Sequence, residues 1–283
     1  MHAQTERAFT LKNPKVVLVT GASSGIGEAT AERLAKAGYK VYGTSRRGAP
    51  SNKLSFDMMT LDVTSDESVA AAVGEVMRLE GRIDLLVNNA GFSVAPGGAE
   101  ESSIAQAQFI FDTNFFGVVR MTRAVVPHMR SAGSGRILNI GSVLGFVPMP
   151  YGALYAATKH AIEGYSESLD HELRIWGIRV SVIEPAYTKT PFNAHFLEPD
   201  ARLDVYNEIR AAVKMRVNEV METAEEAVTV AETVLEAAGA AHPKLRYTPA
   251  GLASQLRWLR RLAPAALFDA AIRQDLRLNT PRA

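Results

Sequence analysis

The chain has 283 residues, 31 Lys and Arg against 30 Asp and Glu, and no cysteine. A net charge of +1 gives no field of one sign to draw a nucleic acid. The missing thiols exclude disulfides, thiolate zinc sites, iron–sulfur clusters and a cysteine nucleophile.

Residues 1–14 read as an N-terminal arm without the apolar core of a secretory signal. No apolar run reaches the length needed to span a bilayer, so the expectation is a cytoplasmic protein with no transmembrane segment. KVVLVT (15–20) has the continuous apolar texture of a strand buried on both faces, and Gly25–Ala37 then turns to helical spacing. The strand texture returns at 39–45, 58–63, 84–89, 136–142 and 178–185. Helical patterns fill 66–80, 101–131 and 152–176. Strands of this kind, separated by helices, predict a doubly wound parallel sheet with helices on both sides, an α/β fold in a single domain over 15–250. After Pro185 the texture becomes mixed. A helix is predicted near 202–220, another near 224–239, a short last strand in LRYTP, and a helical C-terminal extension over 251–283. Ligands in such folds sit beyond the carboxyl ends of the strands, which makes 186–222 the candidate substrate lid.

The first strand runs into Thr20-Gly21-Ala22-Ser23-Ser24-Gly25-Ile26-Gly27 and then a helix. Gly21 permits the tight turn, Gly25 lets backbone approach a pyrophosphate at the helix N-terminus, and Gly27 lets the helix pack closely. From this segment onward the chain resembles the short-chain dehydrogenase/reductase family. The motifs arrive in order: TGASSGIG (20–27), Asp62-Val63, NNAG (88–91), Asn114, Ser142 and YAATK (155–159). The resemblance covers about residues 15–240 and is nearest the steroid- and retinol-dehydrogenase-like branch. It implies a Rossmann-type fold, a nicotinamide cofactor and hydride transfer between a carbonyl and an alcohol.

The end of the second strand selects the cofactor. Ser45 stands where the resemblance puts an NAD-selecting acid, and Arg46 comes next, able to fork two charge-assisted hydrogen bonds onto a 2′-phosphate. NADP(H) is therefore expected over NAD(H), although Ser24 stands where some NADP-using relatives carry a second basic residue. The resemblance further implies that Ser23, Ser24 and Ile26 lie along the pyrophosphate turn. By the same resemblance, Asp62 and Val63 hold the adenine edge, while Asn89, Ala90 and Gly91 line the ribose and pyrophosphate path. Pro185 closes its strand among the cofactor residues, and Thr188 and Thr190 after it reach the nicotinamide carboxamide or the phosphates. Asp62 has a second reading as a turn carboxylate.

Tyr155 and Lys159 are four apart in a helical pattern and leave one face. A nearby ammonium and an oxidised nicotinamide would each favour phenolate, lowering the tyrosine's pKa from about 10 towards neutrality. Tyr155 is then the general acid and base, and Lys159 also holds the cofactor ribose. Ser142 holds the substrate oxygen, and Asn114, by resemblance, holds a water that relays protons from Lys159. The six histidines have no metal-ligand spacing, and no metal is expected.

Phe192, Phe196, Leu197, Leu203, Val205, Tyr206, Ile209, Val213 and Met215 make the lid apolar, and the resemblance implies that Gly145–Pro150, between Ser142 and Tyr155, borders the substrate. The expected partner is a small hydrophobic carbonyl or alcohol, with packing of the lid helix as the other use of these residues. The basic stretch Arg257–Leu262 reads as a helix packed on the domain or contacting another subunit of a homodimer or homotetramer, rather than as a membrane-surface helix. Two other functions share the fold: a non-catalytic NADP(H)-binding regulator and a sugar-nucleotide epimerase or dehydratase. The complete Asn114–Ser142–Tyr155–Lys159 set weighs against the first. The glycine spacing and the missing larger C-terminal substrate domain weigh against the second.

Overall fold

The computed structural model describes residues 14–48, 54–192 and 196–278. Most of the N-terminal arm, His195 and the last five residues of the C-terminal extension lie outside the described residues. The strands are β1 (Val16–Val19), β2 (Lys40–Ser45), β3 (Asp57–Thr60), β4 (Leu85–Asn88), β5 (Gly135–Ile140), β6 (Ile178–Ile183), β7 (Thr188–Lys189), β8 (Glu225–Glu226) and β9 (Arg246–Tyr247). The helices are α1 (Gly25–Lys36), α2 (Asp66–Glu80), α3 (Ile104–Phe111), α4 (Gly117–Ser131), α5 (Ala153–Leu173), α6 (Asn207–Glu222), α7 (Ala227–Gly239), α8 (Ala250–Leu262) and α9 (Ala265–Asp275). Seven strands form one parallel sheet in the order β3-β2-β1-β4-β5-β6-β9. This is the Rossmann-type fold expected.

Alternate residues of each strand feed two cores, because successive side chains leave opposite faces. Val16 and Leu18 join α2, α4 and α5 through Val73, Met121, Val125 and Leu169 on one face. Val17 and Val19 join α1 and α7 through Leu34, Val230 and Val234 on the other. Both faces are covered, which is why these strands read as unbroken apolar runs.

Two expected elements differ. The single helix over 101–131 is broken in two places. Ser103 caps α3 by accepting from the Gln106 amide at 3.1 Å, and a π-helical turn over Asp112–Phe116 separates α3 from α4. The 251–278 tail splits into α8 and α9 at Pro264, which cannot continue a helix behind it. The basic helix α8 packs on the domain, but little of that packing is through its apolar residues. Trp258, Leu259 and Leu262 are exposed, and Ala253 is the buried apolar contact. What ties α8 down is Arg257, which pairs with the fully buried Glu184 at the end of β6 and lies over the Phe146 ring.

The segment after β6 docks on the loop that comes after β4. Leu197 exchanges backbone hydrogen bonds with Ser93 and Ala95 at 3.1 and 2.7 Å. Ser103 donates to Asp200 from both its amide and its hydroxyl. The carboxylate of Glu101, wholly buried, accepts from the Gly98 amide at 2.6 Å, the Leu203 amide at 2.8 Å and the Arg210 guanidinium. Helix α6 then packs on α9 in a small separate core made by Val213, Val217 and Leu276 with Met149, Tyr151 and Ile272 against them.

Candidate active site

The carboxyl ends of β1, β2, β4, β5 and β6 open onto one cavity of about 550 Å3, within the usual range for ligand sites. Every catalytic or cofactor residue singled out from the sequence lines it except Gly27 and Asn114. Gly21 and Gly25 adopt φ of +66° and +59°, the left-handed region that glycine enters without steric cost. A Cβ at Gly21 would lie 2.9 Å from the Ala90 Cα, and one at Gly25 would lie 3.1 Å from the Thr190 Cβ. Gly27 serves the turn itself rather than the sheet: a side chain there would collide with the Gly21 carbonyl and the Asn89 amide.

Asn89 clamps this turn. Its Nδ2 donates to the carbonyls of Thr20 and Gly21, each at 2.9 Å. The buried Thr20 hydroxyl accepts from the Asn89 and Ala90 amides at 2.9 and 3.0 Å. The NNAG motif therefore shapes the glycine turn as well as lining the cavity, and Thr20, whose role the sequence did not reveal, joins the two strands that make it.

At the end of β2, Ser45 donates to the Gly48 carbonyl at 2.8 Å. Arg46 and Arg47 are exposed on the cavity rim, and neither forms a salt bridge among the described residues. Asp62 fills its turn role: Oδ1 accepts from the amide and the hydroxyl of Thr64 at 2.9 and 2.7 Å. Those bonds, the amide's first, hold the carboxyl below the usual range against its partial burial, with the charges of Arg46 and Arg120 adding to the effect. Thr188 and Thr190 sit where the chain leaves β6, Thr188 in the short β7–β8 pairing and Thr190 against Gly25.

At the other end of the cavity, α5 carries Tyr155 and Lys159 on one face, and Ser142 caps the turn after β5. The Ser142 hydroxyl lies beside the Tyr155 phenol and accepts from the Leu144 amide at 3.1 Å. Lys159 Nζ donates to the Ile140 carbonyl at 2.7 Å and lies 5.5 Å from the Tyr155 ring centroid. Burial pulls Lys159 down to about 8, while the charge of Glu163, one turn on, pulls the other way. Burial pushes the Tyr155 phenol above its ordinary value, with the Ser142 hydroxyl opposing. The lowering expected from Lys159 is thus not produced by the chain's own residues, since the ammonium points at the Ile140 carbonyl rather than at the phenol oxygen.

Asn114 is buried behind the cavity wall, in the π-helical turn. Its amide is held to the Phe92 backbone, Oδ1 accepting at 3.0 Å and Nδ2 donating at 2.8 Å, with Thr158 Oγ1 3.3 Å from Nδ2. Beneath the site a ladder that the sequence did not signal links three elements. Asn88 donates to Asn139, Asn139 to Ser166 and Ser166 to the Ile162 carbonyl. Asn88 and Asn139 sit inside apolar strand runs, where their pairing across β4 and β5 is invisible.

Of the apolar lid residues, Phe192, Phe196 and Leu197 line the cavity, with the Phe192 ring centroid 5.9 Å from that of Tyr155. Val213 is buried in the α6–α9 core, and Val205 and Met215 are exposed. The face of α6 that reaches the cavity is Val217 and Met221, which the sequence did not single out although both lie in the 186–222 stretch. Phe92, Phe109 and Leu144 complete the apolar wall, and Met149 and Tyr151 close its far side. Among the described residues no group of three His, Asp or Glu side chains could hold a metal ion.

A bare glycine turn opens at a helix N-terminus, with a carboxylate and an exposed arginine at the ends of the next strands. At the far end stands a serine–tyrosine–lysine cluster, the ammonium 5.5 Å from the tyrosine ring. Together they are fitted to a nicotinamide dinucleotide and a carbonyl or alcohol. These features define a dinucleotide-dependent oxidoreductase. The family model for short chain dehydrogenases matches residues 15–201, and the chain belongs to that family. It is similar to a 3-ketodihydrosphingosine reductase of Bacteroides thetaiotaomicron, 43% identical over 180 residues, 63% of this chain and 66% of the relative. Human retinol dehydrogenase 8 is 39% identical over 197 residues, 65% of this chain and 62% of the relative. The match to each thus spans less than two thirds of the relative's length. The uncharacterized oxidoreductase YusZ of Bacillus subtilis is 33% identical over 281 residues, 93% of this chain and 99% of the relative. Among solved structures, a short-chain dehydrogenase from Streptomyces avermitilis superposes with a TM-score of 0.77 at 30% identity, covering 96% of this chain and 100% of the other. A Brucella melitensis 3-ketoacyl-(acyl-carrier-protein) reductase complexed with NADH gives 0.69 at 28% identity, covering 84% and 98%.

Proposed function

We propose that this protein is an NADP(H)-dependent oxidoreductase that interconverts a carbonyl and an alcohol on a hydrophobic substrate, with Tyr155 as general acid and base. The observation that carries it is the Ser142–Tyr155–Lys159 cluster facing an apolar wall inside the cavity that begins at the glycine turn. A bound nicotinamide supplies or accepts the hydride. Ser142 donates to the substrate oxygen and orients it, and Tyr155 gives its proton to that oxygen in reduction or takes the alcohol proton in oxidation. Lys159, held on the Ile140 carbonyl, supplies positive charge beside the phenol and a donor for the cofactor ribose. Asn114 acts by holding the Phe92 backbone in place. The names of the sphingosine- and retinol-directed relatives agree with the apolar wall in favouring a lipid-like carbonyl. The domain body is 15–250, with 186–222 as the lid and 251–283 as a helical extension.

Turnover is tested by following NADPH absorbance with a panel of ketones. Tyr155→Phe is expected to lower kcat at least a hundredfold while NADPH still binds, and undiminished turnover would remove Tyr155 as proton donor. The preference for NADP(H) rests on Arg46, exposed at the rim where a 2′-phosphate would lie. Arg46→Ala is expected to weaken NADPH binding about tenfold or more, on the order of 1.5–3 kcal/mol, and to leave NADH binding unchanged. Equal losses for the two cofactors would refute the phosphate role.

A further inference from the structure

A second cavity, of about 530 Å3, adjoins the first and belongs to none of the roles above. The two share one residue, Tyr151, which lines both. One wall of the second cavity comes from the loops before α3 and α5, through Ala99, Pro148 and Pro150, and the other from the extension, through Ala265, Phe268 and Ile272. Its lining side chains are apolar apart from Arg260, Asp269 and Arg273 of the extension. The charged Arg260 lies with its guanidinium 4.9 Å from the Phe268 ring centroid, so its stem and plane cover apolar surface while the charge stays in water.

Tyr151 is set apart by its backbone. Its φ of +63° is a conformation that a bulky residue enters only under strain, and such positions cluster at sites that clamp ligands. The Tyr151 carbonyl accepts from the Gly97 amide at 2.9 Å, and its ring meets the Tyr206 ring edge-on at 6.2 Å. Those contacts stand the side chain up as the partition between the cavities.

Volume points the same way. The first cavity extends from Arg46 and Asp62 to Phe192 and Val217, so its 550 Å3 must serve both a dinucleotide and the reacting end of a substrate. A long substrate needs room elsewhere. Among the described residues, the larger of the two further cavities that share residues with the first, and the one with room for a chain, lies across Tyr151, with apolar side chains on both walls. We infer that the second cavity receives the alkyl chain of the substrate, so that the substrate class is a single-chain lipid ketone or alcohol whose chain passes Tyr151 into the space between the 97–99 and 148–150 loops and α9. This rests on the proposed carbonyl chemistry and adds the length of the substrate to it.

The test uses straight-chain methyl ketones from butanone to hexadecanone with NADPH, and parinaric acid as a fluorescent chain-binding probe. Ala99 and Ala265 are small, exposed, on opposite walls of the second cavity and outside the first, so Ala99→Trp and Ala265→Trp fill it without disturbing a core. In the wild type, kcat/KM is expected to climb by up to about fourfold per added methylene beyond the short ketones. Each variant is expected to lose at least tenfold on hexadecanone, to keep butanone turnover, and to bind parinaric acid at least tenfold more weakly. A chain-length profile the same in the wild type and both variants, or unchanged parinaric acid binding, overturns the inference. If no ketone is reduced by any form, the carbonyl chemistry fails instead, and parinaric acid binding alone then decides the second cavity.

Discussion

Lys159 shows how one residue's surroundings reach the behaviour of the whole chain. Its ammonium is buried and held by one carbonyl, and burial brings it from 10.5 down to about 8. Between those values the unfolded chain holds the proton and the folded chain has released it, so stability rises with pH across that window. Below pH 8 the folded state carries the full cost of the buried charge. Urea unfolding of wild type and Lys159→Met at pH 7.5, 9 and 10.5 is expected to show a difference that grows by about 2–3 kcal/mol in favour of the wild type as pH rises. A constant difference would mean that Lys159 keeps an ordinary pKa. The sequence made the tyrosine–lysine pair legible through its spacing of four. It could not show that the lysine's partner is the Ile140 carbonyl, because that contact joins α5 to the end of a strand 19 residues away.

At the scale of elements, the lid is held by a carboxylate that the sequence offers as one more acid in AEESS (99–103). Glu101 lies inside what reads as a helix and in fact ends a single 3-10 turn, from which it reaches the Leu203 amide and Arg210. Removing one partner of such a buried pair costs about 3–5 kcal/mol, because the other charge is left buried alone. Glu101→Ala is expected to raise hydrogen exchange throughout 196–222 while leaving β1 and α1 as slow as in the wild type. KM for a long ketone should rise more than kcat falls. Unchanged exchange in α6 would show that the α6–α9 contact holds the lid without Glu101. The central strands of the sheet were legible to within two residues at their ends, since a strand buried on both faces declares itself in its apolar run. The half-exposed edge strand β3 was read three residues too long. The lid was legible only in outline. Its contacts are with 93–103, a hundred residues earlier, and local periodicity carries no trace of them.

Over the whole molecule, the division between what the sequence showed and what it hid depends on where each part finds its partners. The Rossmann body is built from neighbours in order, and the motifs from Gly21 to Lys159 converge because the strands that carry them end at the same edge. The extension is different. In its basic helix Trp258, Leu259 and Leu262 face solvent, and the helix is fastened by the Arg257–Glu184 pair.

The strand order also fixes how the sheet can be assembled. With β1 placed, β2 joins one edge and β3 extends it; β4 takes the other edge of β1, and β5, β6 and β9 are added outward in turn. Each strand arrives at an open edge, so none has to be inserted between two that are already paired. A chain emerging from the ribosome can lay down its sheet in the order in which it is made, in spite of the long-range parallel pairings that slow such folds. Pulse-labelled exchange during refolding is expected to protect β1, β2 and β4 before β9, and protection of all seven strands at once would refute stepwise growth. The last strand, with two paired positions, then acts as the seal that brings the extension onto a finished sheet.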